Sequence, residues 1–220
     1  MTRHERQASK GAEPSVDIAI YDLDETLTAR ATFTPFLIHA ARCVAPWRLA
    51  LLPVWVLAMA LHKAGLYGRT GLKTFGMRLM VGRRGSEDLR GVAQSFAASR
   101  TFLPGAVRAV EADLTCGVRV IVATAAFAFY ARPIAARLGI AEVVGSEWDG
   151  RGIPGGNCYA DEKFTRVTRY LANLDRQAVR VRMVSDSRAD APLLDWADKA
   201  WFVGPRDVSG RGWTVMDFSR

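Results

Sequence analysis

Four short apolar runs, each stopping abruptly at a loop-like segment, constrain the fold of this chain more than any other feature. They cover 16–21, 117–126, 179–187 and 199–205, and helix-like stretches lie among them at 105–114, 129–138 and 162–174. Strands that alternate with helices form right-handed βαβ units, because parallel neighbours need a crossover connection. The sequence therefore predicts an α/β protein with a Rossmann-like parallel sheet.

The segment 31–100 breaks this alternation, and its prolines and glycines divide it into three or four predicted helices. A chain of 220 residues is long enough for one domain with an insertion of that size. We therefore expect a core built from 16–30 and 101–220, with a helical cap inserted over 31–100. The polar residues 1–15 are expected to form a disordered tail, and the glycine-rich stretch 142–156 predicts a hairpin.

Positive charge is concentrated in the 31–100 cap. This segment holds ten Lys or Arg residues and two acidic ones, Glu87 and Asp88, and so accounts for the formal net charge of +8. Solvated basic helices and an anionic membrane surface are the two explanations that stay open. No recognised nucleic-acid-binding motif accompanies the charge, so nucleic acid is not an expected partner.

The most apolar run of the chain, LALLPVWVLAMAL at 49–61, lies inside the cap. At 1.5 Å per residue such a helix reaches about 20 Å, short of the roughly 30 Å hydrocarbon core of a bilayer. It is either a buried helix of an ordinary cap or a segment that dips into one leaflet. Trp47 and Trp55, with Arg48 and Lys63 flanking the run, favour the second interpretation.

The cysteines and the first residues indicate the compartment. Cys43, Cys116 and Cys158 are odd in number and widely spaced, which is typical of a reducing compartment without structural zinc. The N-terminal residues contain no apolar stretch with a cleavage site. We therefore expect a cytoplasmic protein.

Asp22 and Asp24 come directly after the first apolar run, in the pattern DLDET. Neighbouring carboxylates repel each other unless a cation or a proton is shared between them. Oxygen ligands favour Mg²⁺, so the pair is a candidate metal site. A helix N-cap or an Asx-turn at the strand end is the alternative.

Further polar side chains follow the later strands in order. Thr124 could hold a phosphate oxygen together with the amides of the next helix, and Lys163 could neutralise phosphate charge. Asp186 and Asp190, four apart in DSRAD, could ligate a metal and orient a neighbouring base. A structural threonine, a solvated lysine and surface caps are the ordinary alternatives.

Together these residues resemble the haloacid dehalogenase superfamily of phosphohydrolases, subfamily IB, with the layout of phosphoserine phosphatase. Four motifs match in order: DLDET at 22–26, Thr124, Lys163 and DSRAD at 186–190. The long gap between the first and second motifs matches a cap inserted there. The resemblance covers about residues 16–205 and implies a phosphatase.

The resemblance also implies a role for each carboxylate. Asp22 would attack phosphorus and form an aspartyl phosphate. Asp24 would protonate the leaving oxygen and then deprotonate water, while its backbone carbonyl helps to bind the metal. Asp22 and Asp186 would complete a Mg²⁺ site, which Asp190 would support.

Thr124 and Lys163 would hold the phosphoryl oxygens as charge develops. The sequence departs from the family pattern at two places. Ser185 stands where the family usually has glycine, and Ala125-Ala126 replaces a small polar pair. These departures concern substrate details and leave the chemistry intact.

Three features are also similar to the phosphatidylglycerophosphatase C group. They are the leucine-rich cap interrupted by prolines, the serine before Asp186, and the pattern from Trp201 to Arg206. This resemblance implies a lipid phosphomonoester as substrate and a peripheral position on the cytoplasmic face of the inner membrane, with the 31–100 cap on anionic lipid. A soluble phosphatase for a small metabolite such as phosphoserine is the first alternative. A non-catalytic module that binds a membrane or a partner is the second.

Overall fold

A six-stranded, entirely parallel sheet forms the centre of the protein in a computed structural model that describes residues 17–204 and 211–219. Its strand order is β3-β2-β1-β4-β5-β6. The strands are β1 (Ile18–Tyr21), β2 (Arg119–Phe127), β3 (Glu142–Ser146), β4 (Val181–Ser185), β5 (Lys199–Val203) and β6 (Thr214–Met216). The predicted α/β fold with a Rossmann-like parallel sheet is confirmed. The predicted disordered tail, 1–15, lies outside the described residues.

Eight α-helices accompany the sheet within the described ranges. They are α1 (Phe33–Val44), α2 (Leu52–Lys63), α3 (Arg69–Met80), α4 (Arg90–Ala98), α5 (Pro104–Thr115), α6 (Ala128–Ala136), α7 (Asp161–Tyr170) and α8 (Ala191–Trp196). Two short 3₁₀ helices lie at Pro46–Leu51 and Arg188–Asp190. The three helices expected from the sequence outside the cap correspond to α5, α6 and α7.

The register of the central strands brings the polar strand ends together. Tyr21 at the end of β1 is level with Val122 of β2 and with Val184 of β4. Because the three strands run parallel, the residues that follow these positions share one edge of the sheet. Ligands of open parallel sheets bind at this carboxyl edge.

The hairpin predicted at 142–156 is wrong. Glu142–Ser146 forms a single strand, which pairs parallel with β2 at the edge of the sheet. The chain after it turns around Asp149, whose Oδ1 accepts the backbone N–H groups of Arg151 and Gly152. An Asx-type turn of this kind satisfies the backbone without a second strand.

All of α1 to α4 fall within 31–100, and the two ends of this segment meet. Thr28 and Phe102 form an antiparallel bridge, flanked by hydrogen bonds from Ala29 N to Thr101 O and from Leu103 N to Leu27 O. One hydrophobic cluster continues from the helices of this segment into the sheet. The division into core and cap therefore stays a prediction.

The helix α2 is largely exposed, and only Trp55 and Ala58 are buried in it. The indole of Trp55 packs against Gly76 of α3 and edge-on against Phe33 of α1. One ring thus anchors α2 to two neighbouring helices. No helix in the described part of the chain is both long and apolar enough to cross a bilayer.

Candidate active site

All six side chains predicted from the sequence line one pocket at the carboxyl edge of the sheet. The pocket has a volume of about 220 Å³. Its predicted members are Asp22, Asp24, Thr124, Lys163, Asp186 and Asp190. They come from four separate places in the sequence, and the parallel strands bring them together.

Lys163 bridges two carboxylates at the bottom of this pocket. Its Nζ donates to Asp22 Oδ1 at 2.9 Å and to Asp190 Oδ2 at 2.7 Å. All three side chains are buried. Lys163 lies in the first turn of α7, Asp22 follows β1 directly, and Asp190 ends the 3₁₀ helix after β4. The ion pairs therefore tie three elements together around the pocket.

Burial and neighbouring charge set the protonation of this cluster. Burial raises the pKa of Asp22 to about 7; the charge of Lys163 opposes the rise, and Asp190 and Asp24 add to it. Burial alone would lower the pKa of Lys163, but the carboxylates of Asp22 and Asp190 raise it above its ordinary value. The lysine therefore keeps its charge at neutral pH and can neutralise an anion beside Asp22.

Asp24 is held by the start of α1. The backbone N–H of Thr32, the N-cap residue of α1, donates to Asp24 Oδ1 at 2.8 Å. Burial raises the pKa of Asp24, and the hydrogen bonds from Thr32 oppose this rise. A raised pKa favours the protonated carboxyl group, which is the form that can give a proton to a leaving group.

Asp186 and Asp190 are positioned by hydroxyl groups. Thr26 Oγ1 accepts from the backbone N–H of Asp186 at 2.9 Å and donates to Asp186 Oδ1 at 3.1 Å. Ser185 Oγ donates to Asp190 Oδ2 at 2.7 Å. A glycine in place of Ser185 could not donate this hydrogen bond, which gives the departure from the family pattern a structural role.

Thr124 lies inside β2 and is almost fully buried. Its Oγ1 accepts from the backbone N–H of Ala126 at 3.0 Å. The hydroxyl hydrogen is therefore left to donate into the pocket, which both Thr124 and Lys163 line.

A family model described as haloacid dehalogenase-like hydrolase matches residues 19–195. The chain belongs to this hydrolase family. The match begins in β1 and ends in α8, so it contains every predicted site residue. The prediction of an enzyme of the haloacid dehalogenase hydrolase type is confirmed.

Three solved structures illustrate how widely the fold is shared. A protein of unknown function from Bordetella pertussis Tohama I superposes with a TM-score of 0.82 at 22% identity, over 93% of this chain and 99% of its own. A probable phosphoserine phosphatase from Vibrio cholerae superposes with a TM-score of 0.65 at 12% identity, over 91% of this chain and 60% of its own. A phosphoserine phosphohydrolase-like protein from Francisella tularensis superposes with a TM-score of 0.59 at 13% identity, over 91% of this chain and 95% of its own. No curated protein matches the chain.

The donors of the hydrolase pocket suit a hard divalent cation. Four carboxylates, those of Asp22, Asp24, Asp186 and Asp190, line it with Lys163 among them, and the buried Asp190 Oδ1 has no hydrogen-bond partner in the structure. Within the described ranges, no three His, Cys, Asp or Glu side chains form a metal cluster by themselves. A cation here would need backbone, phosphate or water oxygens as well, and Mg²⁺ commonly keeps such ligands.

Three charged or aromatic residues that were not predicted as site residues also line the hydrolase pocket. Arg69, the first residue of α3, lines the pocket with Tyr159, and its guanidinium lies 4.1 Å from the centre of the tyrosine ring. Glu25 also lines it, with a left-handed backbone conformation at φ 57°. Neither Arg69 nor Tyr159 follows a strand, so no local pattern marks them.

Proposed function

We propose that this hydrolase is a Mg²⁺-dependent phosphatase that forms an aspartyl phosphate on Asp22. The observation that carries the proposal is the buried bridge from Lys163 to Asp22 and Asp190 beside the phosphate-sized pocket. A nucleophilic carboxylate next to a fixed cation can approach an anionic phosphate, because the lysine offsets the repulsion between the two anions.

The residues of the chain account for both halves of the reaction. Asp22 attacks phosphorus as the bond from phosphorus to the ester oxygen breaks, and Asp24 gives its proton to that oxygen. Asp24 then takes a proton from water, whose oxygen attacks phosphorus and breaks the bond to Asp22. Thr124 donates a hydrogen bond and Lys163 a charge to the phosphoryl oxygens.

Mg²⁺, when bound, would neutralise phosphate charge and orient the phosphoryl group. The carboxylates of Asp22 and Asp186 and the backbone carbonyl of Asp24 are the proposed ligands. Asp190 would support the site through its ion pair with Lys163. The raised pKa of Asp22 agrees with this assignment, since a nearby cation would favour the ionised, nucleophilic carboxylate.

We propose a lipid phosphomonoester as the substrate, as in the phosphatidylglycerophosphatase C group that the cap resembles. Within the described residues, seven of the eleven exposed large hydrophobic side chains belong to the segment 47–67. Two of them, Leu66 and Tyr67, come just before Arg69 at the mouth of the pocket. A substrate with an apolar tail and an anionic head would meet both features, and so would the surface of an anionic membrane.

A small phosphorylated metabolite is the second candidate. Glu25 and Arg69 line the pocket together, so they could hold the ammonium and carboxylate groups of phosphoserine. The two acidic residues of the segment 31–100 are not available to bind the ammonium group, because Glu87 pairs with Arg90 and Asp88 accepts a hydrogen bond from Gly85 N.

Phosphate release from three substrates tests these proposals. We expect Mg²⁺-dependent turnover of phosphatidylglycerophosphate in mixed micelles to exceed that of phosphatidic acid and phosphoserine. Asp22→Asn should lower it by at least about a thousandfold, because the nucleophile is lost. The control Asp161→Asn changes an exposed carboxylate of α7, two residues before Lys163, and should keep full activity.

Each other outcome has a distinct meaning. A preference for phosphoserine would contradict the lipid substrate and leave the phosphatase intact. Turnover that survives Asp22→Asn would contradict the aspartyl-phosphate mechanism. Absence of turnover with every substrate would favour the non-catalytic module.

A further inference from the structure

A second cavity, separate from the catalytic pocket, is lined by four arginines and two glycines. It has a volume of about 750 Å³, and its lining residues are Arg48, Arg78, Gly82, Arg83, Gly150 and Arg151. We refer to it as the arginine pocket. No carboxylate belongs to this lining. Four guanidinium groups around one open space repel one another unless an anion lies between them.

Two of the four arginines are fixed in place by backbone carbonyls. Arg48 Nη1 donates to Arg78 O at 2.8 Å and to Leu79 O at 2.7 Å, at the C-terminal end of α3. Arg78 Nε donates to Arg151 O at 3.0 Å, and its Nη2 donates to the same oxygen. A guanidinium has five N–H donors, so each of these side chains keeps donors for a ligand.

The other two arginines are not held by hydrogen bonds to described residues, and the Asp149 carboxylate attracts only one of them, Arg151. Arg83 and Arg151 are exposed, and within the described residues neither side chain makes a hydrogen bond or an ion pair. The nearest carboxylates are already used: Asp149 accepts from two backbone N–H groups of its own turn, and Asp88 accepts from Gly85 N. Both free guanidinium groups are therefore available to an incoming anion.

Glycines keep the arginine pocket open. Gly150 has φ 90°, and a side chain there would lie 2.8 Å from the carbonyl oxygen of Arg83. Gly82 has φ 83°, and a side chain there would lie 3.2 Å from Arg48 Nη2. Any other residue at these positions would be strained and would fill space that the guanidinium groups surround.

The two pockets lie at opposite ends of α3. Arg69 at its first turn lines the catalytic pocket, and Arg78 near its last turn lines the arginine pocket. Nine residues of helix separate them, or about 14 Å along the axis at 1.5 Å per residue. One phosphate group cannot occupy both places.

We propose that the arginine pocket binds a phosphate oxyanion at a site separate from the catalytic pocket. Arginine pairs with phosphate through two parallel hydrogen bonds, and four such groups converge here. The phosphate can belong to the headgroup of an anionic phospholipid or to a free phosphate ester. The exposed Trp47, whose ring lies 4.8 Å from the Arg48 guanidinium, places an apolar surface beside the pocket.

The test uses the double variant Arg83→Gln with Arg151→Gln in the full chain. These substitutions leave the hydrogen bonds that fix Arg48 and Arg78 in place, since Arg151 contributes only its backbone oxygen to them. The matched control, Arg169→Gln with Arg180→Gln, removes the same charge from two exposed positions outside the cap. Hydrolysis of p-nitrophenyl phosphate by all three proteins checks that the catalytic pocket is unaffected.

Two binding measurements distinguish the sources of phosphate. One is sedimentation with phosphatidylcholine vesicles with and without about 30 mol% phosphatidylglycerol, so that about one lipid in three is anionic. The other is calorimetric titration with sn-glycero-3-phosphoglycerol, a soluble diester that a phosphomonoesterase does not cleave. We expect the pocket variant to lose about tenfold or more in affinity for at least one probe, and the control to change less than about twofold.

Loss with vesicles alone would assign the pocket to lipid-borne phosphate, and loss with the soluble diester would assign it to free phosphate esters. An equal loss in both double variants would overturn the proposal, because charge alone would then explain binding. So would failure of the unmodified protein to bind either probe. These outcomes do not depend on the proposed phosphatase, whose failure would appear as absence of turnover or as turnover that does not need Asp22.

Discussion

Lys73 is a buried lysine of α3 that reaches the backbone of β2 beside the catalytic pocket. Its Nζ donates to Asn157 Oδ1 at 2.8 Å and to the backbone oxygen of Ala125, the residue after Thr124. It also lies 4.3 Å from the centre of the Phe127 ring. The lysine therefore connects α3 to the part of β2 that carries the threonine of the pocket.

The protonation of Lys73 should make stability depend on pH. Burial lowers its pKa to about 7, and the charge of Asp24 opposes this fall. In the unfolded chain the lysine keeps its proton up to about pH 10.4. Between these values the unfolded state binds more protons, so the free energy of unfolding rises with pH by roughly 2 kcal/mol from pH 7 to 9 on account of this group.

We predict that Lys73→Met removes this rise. The variant lacks the group that loses its proton on folding, so its free energy of unfolding should gain about 2 kcal/mol less than that of the unmodified protein between pH 7 and 9. Urea unfolding at the two pH values measures the difference. Lys63→Met, at an exposed lysine of α2, is the control and should follow the unmodified protein. Parallel curves for all three proteins would refute the assignment.

At the scale of elements, the contact between α2 and α3 depends on one glycine. A Cβ at Gly76 would lie 2.7 Å from the Trp55 ring and 2.9 Å from Leu37 Cδ1. Gly71 lies on the same helix, but a Cβ there would meet only the Tyr67 ring, at an ordinary 3.5 Å. Alanine at Gly71 therefore tests helix propensity alone, whereas alanine at Gly76 also tests the packing of α2 against α3.

We predict opposite effects for alanine at these two positions. Gly76→Ala should lower the free energy of unfolding by about 1–3 kcal/mol, because the overpacked ring must move. Gly71→Ala should raise it by up to about 1 kcal/mol, since alanine favours the helix. Thermal and urea unfolding of both variants measure the pair. A stabilising Gly76→Ala would show that Trp55 does not pack against α3 as described.

The strands and helices that the sequence predicted are those with long apolar runs or clear periodicity. The strand Thr214–Met216 was missed because it has three residues, two of them exposed, and therefore no apolar run. The hairpin at 142–156 was predicted from glycines, whereas the Asp149 side chain closes that turn alone. Short edge elements depend on their neighbours in the sheet, and a local pattern does not contain them.

The same reasoning explains which site residues could be found. Asp22 and Asp186 directly follow buried strands, and Thr124 lies near the end of another, so parallel pairing alone brings them to one edge. Arg69 lines the site, and Lys73 lies beside it, only because α3 packs against α1 and α2 next to the sheet. The position of α3 depends on packing between segments that are distant in the sequence, and the spacing of residues does not predict such packing.

At the scale of the whole molecule, charge and apolar exposure coincide on the cap. The exposed side chains of α2 include Val54, Val56, Leu57 and Leu61, and no acidic residue occurs between Glu25 and Glu87. This apolar face in basic surroundings is the reason for proposing an anionic membrane as the partner of the segment 31–100, because burial of the side chains and attraction to headgroups would act together. The alternative of an ordinary buried helix does not agree with this exposure.

We predict that Val56→Gln with Leu57→Gln lowers binding to vesicles that contain phosphatidylglycerol by about tenfold or more, since two side chains that would enter the lipid become polar. The control, Leu174→Gln with Val215→Gln, changes an exposed leucine and an exposed valine outside the cap and should bind as before. Sedimentation at two salt concentrations separates the electrostatic from the apolar contribution to binding, because salt weakens the attraction of the basic residues to the lipid but leaves the apolar contribution in place. Equal binding by both double variants would show that α2 does not enter the bilayer surface, and the exposed face would then need a protein partner.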